Sequence, residues 1–538
     1  MSNNQKQIQQ LVGPEDSVRM MDSLRRGASR RDILAMLAAS GMQATLAGSI
    51  ASLATTAHAQ TPKKGGRIKV ASSASGVNDT LDPARQSSHI DYCRGFMFYN
   101  GLTVLDGSLA PQPQLAEEFS TKDAQTWVFK LRKGVTFHNG KPLTPADVVF
   151  SIMRHKDPAT ASRAKVLADQ IESVTATGPN EVTFRLTSPN ADLPVILGTY
   201  HFHIVPDGTT NFAAGIGTGP FKVKEFKPGE RSIAVRNDSY WKPNRPYLDE
   251  IELVGISDES ARVNALLSGQ LDLVVAVSPR SIDRVLASGT HSIFETKATN
   301  YTNLVMRRDG GPGSNPDFVL AMKHLFNREQ LLKNIQLGRG VVANDQPIAS
   351  NNRFFNKGLP QRPYDPEKAK WHLQKANLGS AAIPVVASPA ATNSVETALV
   401  MQYAAKQVGL NLDVRRMPAD GYWSTHWMKH PVGFGNVNTR PSADLALTLF
   451  FKSDAPWNEA GWKNEKFDQL LVAARGETDQ AKRTKMYADM QVMIHQEGGI
   501  GIPFFNSSLD GHSKKLKGLS PIPIGGMMGT SFAEHVWL

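Results

Sequence analysis

The sequence predicts an α/β protein built as two lobes, and three observations predict it. At 538 residues the chain is too long for one compact core, so two or three domains are expected. Residues 250–277 read as strand, helix, strand. A second strand–helix–strand set, residues 383–415, follows a change of pattern near Asn300.

Residues 1–59 read as an export signal, not as structure. Ser29-Arg30-Arg31-Asp32-Ile33-Leu34 resembles the twin-arginine consensus. An apolar run from Ile33 to about Ala54 follows, too rich in Ala, Gly, Ser and Thr for a membrane helix. Ala57-His58-Ala59 has the A-x-A cleavage pattern, which predicts maturation at Gln60. The other reading is a fortuitous Arg pair before an anchor helix. No cysteine stands at the cleavage point, so no lipid anchor is expected. The expected destination is the periplasm, in soluble form.

The elements after it follow in order. Arg67 to Ala71 alternate as a strand. Trp127, Phe129 and Leu131 alternate with Val128, Lys130 and Arg132, a strand with one buried face. Asn139-Gly140 marks a turn. Thr144 can cap a helix that has Pro145 at its first position and Asp147 reaching back to the cap; its buried stripe is Val148, Val149, Ile152 and Met153. Val174–Ala176 and Val182–Leu186 form a hairpin around Gly178-Pro179-Asn180. Gly217-Thr218-Gly219-Pro220-Phe221 lacks the lysine and the spacing of a phosphate loop, so it reads as structural.

In the first α/β unit, Asp258 or Ser257 caps a helix ending near Leu267, with Gly269 just past it. Asn303 to Met306 read as a strand crossing to another lobe. Residues 319–335 read as one helix. Asp365 caps a helix with Pro366 at its first position. Ile383–Ala387, Ser394–Val408 and Leu410–Arg415 give strand, helix, strand. Two helices, 465–475 and 479–497, follow; Met486, Met490, Met493 and Ile494 form a core stripe on the second. Ile502-Pro503-Phe504-Phe505 carries the chain back towards the first lobe.

The stretch Trp127 to Met153, WVFKLRKGVTFHNGKPLTPADVVFSIM, resembles the signature of the family 5 extracellular solute-binding proteins, the dipeptide, oligopeptide and nickel receptors of ABC importers. Asn139 stands where the family has Asp, and Pro145 where it has Ala. Tyr99-Asn100-Gly101-Leu102, Pro113 to Glu117, Gly217 to Phe221, Pro246 to Ile251, Leu266 to Asp272 and Tyr364 to Lys370 also match family words, in order. The resemblance implies a two-lobed periplasmic binding protein fold of class II, cluster C type, with an extra domain inserted in the first lobe. The implied boundaries are 60–108, 216–301 and 506–538 for lobe I, 109–215 for the extra domain and 302–505 for lobe II. Ligand is expected in the cleft, buried by closure.

The site candidate is Asp420 to Asp444, an aromatic and irregular stretch. Tyr422, Trp423 and Trp427 offer flat walls with polar tips. Arg440 can fork onto a carboxylate or phosphate, and Asp444 can hold Arg440 or accept ligand hydroxyls. Asn303 and Tyr99 complete the candidate set. Two readings stay open: the tryptophans as lobe core, and Arg440 as a surface ion pair. Peptide receptors of the family place an aspartate shortly after a Gly-Trp in this loop. Here Gly433 to Asn438 carries no acid, which favours an opine-like or sugar-phosphate-like anion over a free-amine peptide.

No G-x-S-x-G, H-E-x-x-H or P-loop is present, so no enzyme activity and no cofactor are expected. His426 and His430 at i, i+4, and His201 and His203 alternating on a strand, lack an evident third metal ligand. Formal net charge is +11, but no basic run has the length of a nucleic-acid patch. Cys93, the only cysteine, excludes an internal disulfide and reads as a buried structural thiol before a reactive one. The expected function is capture of a small polar solute, peptide or anion, by a monomer that delivers it to permease subunits and touches the membrane only through them. The alternatives are a secreted hydrolase on a similar scaffold and a metal-chelate binder.

Overall fold

Strand Arg67–Ser72 buries Ile68, Val70 and Ala71 and sits in the interior of a large sheet. The computed structural model describes residues 62–538, so the proposed export signal lies outside the described residues. The sheet has twelve strands. Its main path runs Leu412–Arg416, Ile383–Ala387, Val432–Asn438, His291–Met306, Phe504–Ser513, Leu273–Val274, Arg67–Ser72, Glu250–Gly255, Arg231–Arg236, Phe221–Lys227.

Two strands join the lobes. His291–Met306 pairs with Phe504–Ser513 from His291↔Ser513 to Tyr301↔Phe505, then with Val432–Asn438. In lobe I, Arg67–Ser72 is parallel to Glu250–Gly255 and Leu273–Val274. In lobe II, Ile383–Ala387 is parallel to Leu412–Arg416 and to Val432–Asn438. Three successive antiparallel pairings, Leu273–Val274 with Phe504–Ser513, Phe504–Ser513 with His291–Met306 and His291–Met306 with Val432–Asn438, turn these sets head-on. The carboxyl ends of both therefore face one another, the side of an open α/β sheet on which ligands bind.

Each lobe covers its sheet on both faces. Leu304, Met306 and Phe434 pack with Phe318 and Met322 on one face of lobe II; Tyr301 and Val437 pack with Leu447, Tyr487 and Met490 on the other. Met486 and Met493 border that second core, as a core stripe should. Residues 316–335 correct the single-helix expectation. They form two helices, Pro316–His324 and Arg328–Ile335, because the Asn327 side chain accepts the Gln330 N–H and caps a new start.

A separate antiparallel sheet, Ala116–Thr121, Thr126–Leu131, Glu181–Leu186 and Ile171–Gly178, has its own core of Trp127, Phe129, Phe184, Val148 and Ile152. Its helix Pro145–Met153 starts as read: the Asp147 carboxylate accepts the Thr144 N–H at 2.7 Å and Lys141 Nζ at 2.8 Å. Gly217 and Gly219 press on the Phe98–Tyr99 backbone, where a Cβ would come within 2.1 and 2.4 Å of it, so this glycine motif is a packing device. Cys93 is fully buried and burial pushes its thiol up, the inert case.

Candidate ligand cleft

The floor of the cleft is where the two long strands cross. The ladder breaks between Thr296 and Asn300, and Ala298 takes φ 59° there. Neutral polar side chains fill the break. Asn506 Nδ2 donates to Asn300 Oδ1 at 2.6 Å, and Gln336 Nε2 donates to Asn506 Oδ1 at 3.0 Å. On the lobe II side Asn436 Nδ2 donates to Thr302 Oγ1 at 2.8 Å, and Thr302 Oγ1 donates to the Thr392 carbonyl at 2.6 Å.

Arg440 stands beside this floor. It follows the carboxyl end of Val432–Asn438, and Ser442 caps the next helix, Ala443–Phe450, two residues later. The guanidinium carbon lies 5.5 Å from the Phe450 ring centroid and 5.8 Å from that of Trp457. Among the described residues no carboxylate comes within 4.0 Å of it, and its Nε has no hydrogen-bond partner. Burial draws its pKa down, opposed by the nearby Tyr301 and Tyr200 phenols. Tyr200 belongs to the segment that leaves the small sheet, and it stacks on Tyr92 at 3.6 Å between centroids. The Tyr200 phenol and Arg440 thus act on each other electrostatically from opposite lobes.

Asp192 closes the lobes beside them. It takes Arg483 Nη1 at 2.8 Å and Arg353 Nη2 at 3.0 Å, both from lobe II. The Ala191 N–H donates to the Arg475 carbonyl at 2.8 Å. Asp192 is buried, yet the two arginines hold its pKa low against desolvation.

The expected site residues separate into groups. Asp444 does not hold Arg440; it accepts Arg475 Nε at 3.1 Å, because its helix turns it towards residues 465–476. Burial, with Asp192 nearby, raises its pKa to about 6. Trp427 and Asn303 share one partner. Trp427 Nε1 and Asn303 Nδ2 donate to the two oxygens of Glu459, at 2.5 and 2.7 Å. Tyr422 is buried and its hydroxyl donates to the Phe434 carbonyl at 2.7 Å. Trp423 lies half exposed, edge-on to Tyr422 and Trp427. Tyr99 is a lobe I core residue whose hydroxyl donates to the Leu81 carbonyl. Of the seven, Arg440 and Asn303 keep a buried polar atom with no hydrogen-bond partner among the described residues, Nε and Oδ1 respectively.

His201 and His203 do not share a strand face, because Tyr200–Phe202 is a 3-10 turn. His426 and His430 do come together, at 3.1 Å between Nδ1 and Nε2. Among the described residues no group of three or more His, Cys, Asp and Glu could hold a metal ion. Sequence reading missed Tyr92, Tyr200, Asp192 and Glu459. The Tyr200-His201-Phe202-His203 alternation had hidden the first pair behind a strand pattern.

The family of bacterial extracellular solute-binding proteins, family 5, matches residues 110–459. The chain belongs to family 5. The dipeptide-binding protein of Escherichia coli K12 is 26% identical over 532 residues, 86% of this chain and 97% of that one. Two solved structures share the fold. DppA of Helicobacter pylori, in complex with the peptide STSA, has a TM-score of 0.70 at 23% identity, covering 88% of this chain and 98% of its own. AgaA of A. tumefaciens R10, in complex with agropinic acid, has a TM-score of 0.69 at 22% identity, covering 88% and 99%. As a family 5 protein the chain is a solute-binding component of an ABC importer. It binds rather than converts, which removes the hydrolase alternative.

Proposed function

We propose that this family 5 protein captures an organic anion, opine-like or sugar-phosphate-like, with Arg440 holding its charge. The observation that carries the reading is the state of Arg440: just past the carboxyl end of Val432–Asn438, against the paired Phe450 and Trp457 rings, with no carboxylate of the described residues on it. A guanidinium there can grip a carboxylate or phosphate with two parallel bonds. The Tyr92–Tyr200 stack offers a flat face opposite, and the Asn300, Asn436 and Asn506 amides suit hydroxyl groups. The agropinic acid held by AgaA is of the acid class.

The competing class is the free-amine peptide, as in the DppA complex. A peptide amine needs an exposed carboxylate. Glu459 comes close to strand Val432–Asn438, but both its oxygens are taken, by Trp427 and Asn303. Burial also raises its pKa, which favours the neutral acid. In this reading Tyr422, Trp427, Asn303 and Asp444 shape lobe II behind the ligand, Trp423 lies at the rim, and Tyr99 supports lobe I.

The lobe division given by the sequence, with 109–215 appended to lobe I, is supported by the separate cores around Phe129, Val70 and Leu304. Delivery is to a permease pair that reads the closed form, from the periplasm, after twin-arginine export as a monomer.

The experiment is a thermal-shift screen of the mature protein against opines, phosphorylated sugars, peptides and nickel. At a hundredfold excess over Kd a ligand adds roughly 2.7 kcal/mol. An anion that stabilises wild type but not Arg440→Ala supports the reading. Stabilisation by free-amine peptides alone overturns it.

A further inference from the structure

Lobe II has a second cavity, at the end away from the hinge. It measures about 900 Å3 and opens where strand His291–Met306 ends and helix Gln480–Glu497 finishes. Its polar lining is Arg308, Arg362, Lys463 and His495 together with Asp309, Gln496 and Glu497; Trp462 and Leu320 give it an apolar wall.

Positive charge is in excess behind this wall. Lys323 is fully buried, and its Nζ donates to the Ile494 and His495 carbonyls at 3.2 and 2.9 Å. Arg328 and Arg362 converge on one buried acid, Asp345, at 2.6 and 3.1 Å. Three buried cations therefore share one carboxylate, and Arg308 adds a fourth positive charge from the cavity side. Desolvation and the neighbouring Arg362, Arg328 and Arg308 press Lys323 down to about 7, against the pull of Asp345.

The acids at the mouth act on its cations, Glu497 on Arg308 and Asp309 on Lys463, but none of these forms an ion pair within 4.0 Å among the described residues. Asp309 is held by Arg307, and Glu497 accepts Asn464 Nδ2 at 3.0 Å. Arg308 spends Nη1 on the Gly313 and Ser314 carbonyls, and its buried Nε has no partner among the described residues. Lys463 is exposed, with no ion pair among the described residues. A buried guanidinium N–H without an acceptor is costly, and a cluster short of anions attracts one.

We propose that this cavity is a second binding site, for an organic carboxylate carrying an apolar body, independent of the cleft. The carboxylate lies against Arg308 and Lys463, and the apolar body lies on Trp462 and Leu320. Because the whole lining comes from lobe II, binding there needs no closure. This inference stands apart from the reading of Arg440.

The test uses 4-(trifluoromethyl)phenylacetate as probe and follows its fluorine NMR signal on titration with mature protein. Wild type and Arg440→Ala should bind it alike. Lys463→Glu, an exposed change that leaves the fold intact, and Arg308→Gln should each weaken binding about tenfold or more, the worth of one charge-assisted contact. The uncharged 4-(trifluoromethyl)phenylacetamide should not bind. No binding to wild type at millimolar concentration, equal binding of the amide, unchanged binding in both cavity variants, or loss in Arg440→Ala alone each overturns the proposal.

Discussion

Asp192 and Arg483 form an ion pair of 2.8 Å that is buried on both sides and ties the two lobes together. Arg353 is the second cation on the same carboxylate. Removing the acid strands two arginines, and breaking a buried pair costs about 3 kcal/mol or more. Asp192→Ala should therefore shift the ligand-free protein towards an open form and weaken ligand binding. Small-angle X-ray scattering reads the first effect as a larger radius of gyration. An unchanged scattering profile would remove Asp192 from the closing device.

Five histidines make the fold sensitive to acid. Burial lowers His89, His324 and His495 to about 4, and His155 and His203 to about 3. Their unfolded pKa is near 6.5, so below it the unfolded chain takes up protons that the native state refuses. Their contribution is complete above pH 6.5 and is lost as pH falls through the window down to about 3. The melting temperature should drop steadily from pH 6.5 to 4. A flat profile over that range would contradict the burial of these rings.

Asp510 works in the other direction. Burial raises its carboxyl to about 7, while the Met527 and Ala276 N–H groups favour the ionised form without overcoming desolvation. A raised acid stabilises fully below its unfolded pKa of 3.8, and that stability is lost as pH rises towards 7. Asp510→Asn should be more stable than wild type at pH 8 by up to roughly 4 kcal/mol, and about level with it at pH 4. Urea melts at the two pH values check this; equal midpoints at pH 8 would count against it.

Gly435 leaves room for Glu459. A Cβ at Gly435 would stand 1.9 Å from Glu459 Oε1. Gly435→Ala should cost about 1–3 kcal/mol through overpacking and loss of the Trp427 and Asn303 contacts. Glu459→Ala makes the space back, so the double variant should cost less than the sum of the singles. Strict additivity in denaturant melts would show that the two positions do not touch.

Much of the fold was legible because it is local. The Thr144-Pro145-Asp147 helix start, the Asp258 and Asp365 caps and the alternating Trp127–Leu131 strand need only their own neighbours. Arg440 drew attention for a chemical reason: it is a fork-shaped cation in a loop just after a strand. The rest of the candidate site was not legible, because its partners are distant in sequence. Trp427 looks like a ligand wall until Glu459, 32 positions on, is seen to take its N–H. Asp444 looks like a partner for Arg440 until its helix turns it to Arg475. Asp192 gives no local sign that arginines about 161 and 291 residues later will close on it.

The order of the sheet also fixes when it can be completed. Phe504–Ser513 is the last strand of the chain, yet it lies at the centre, with His291–Met306 on one side and Leu273–Val274 on the other. While the chain is being made, everything before it must wait with two open strand edges. The central sheet cannot be completed until late in synthesis, because one of the two strands that join the lobes is near the end of the chain. A chain cut before residue 504 would hold nearly all of both lobes and still lack a continuous sheet, with His291–Met306 and Leu273–Val274 offering unpaired edges to any neighbouring chain.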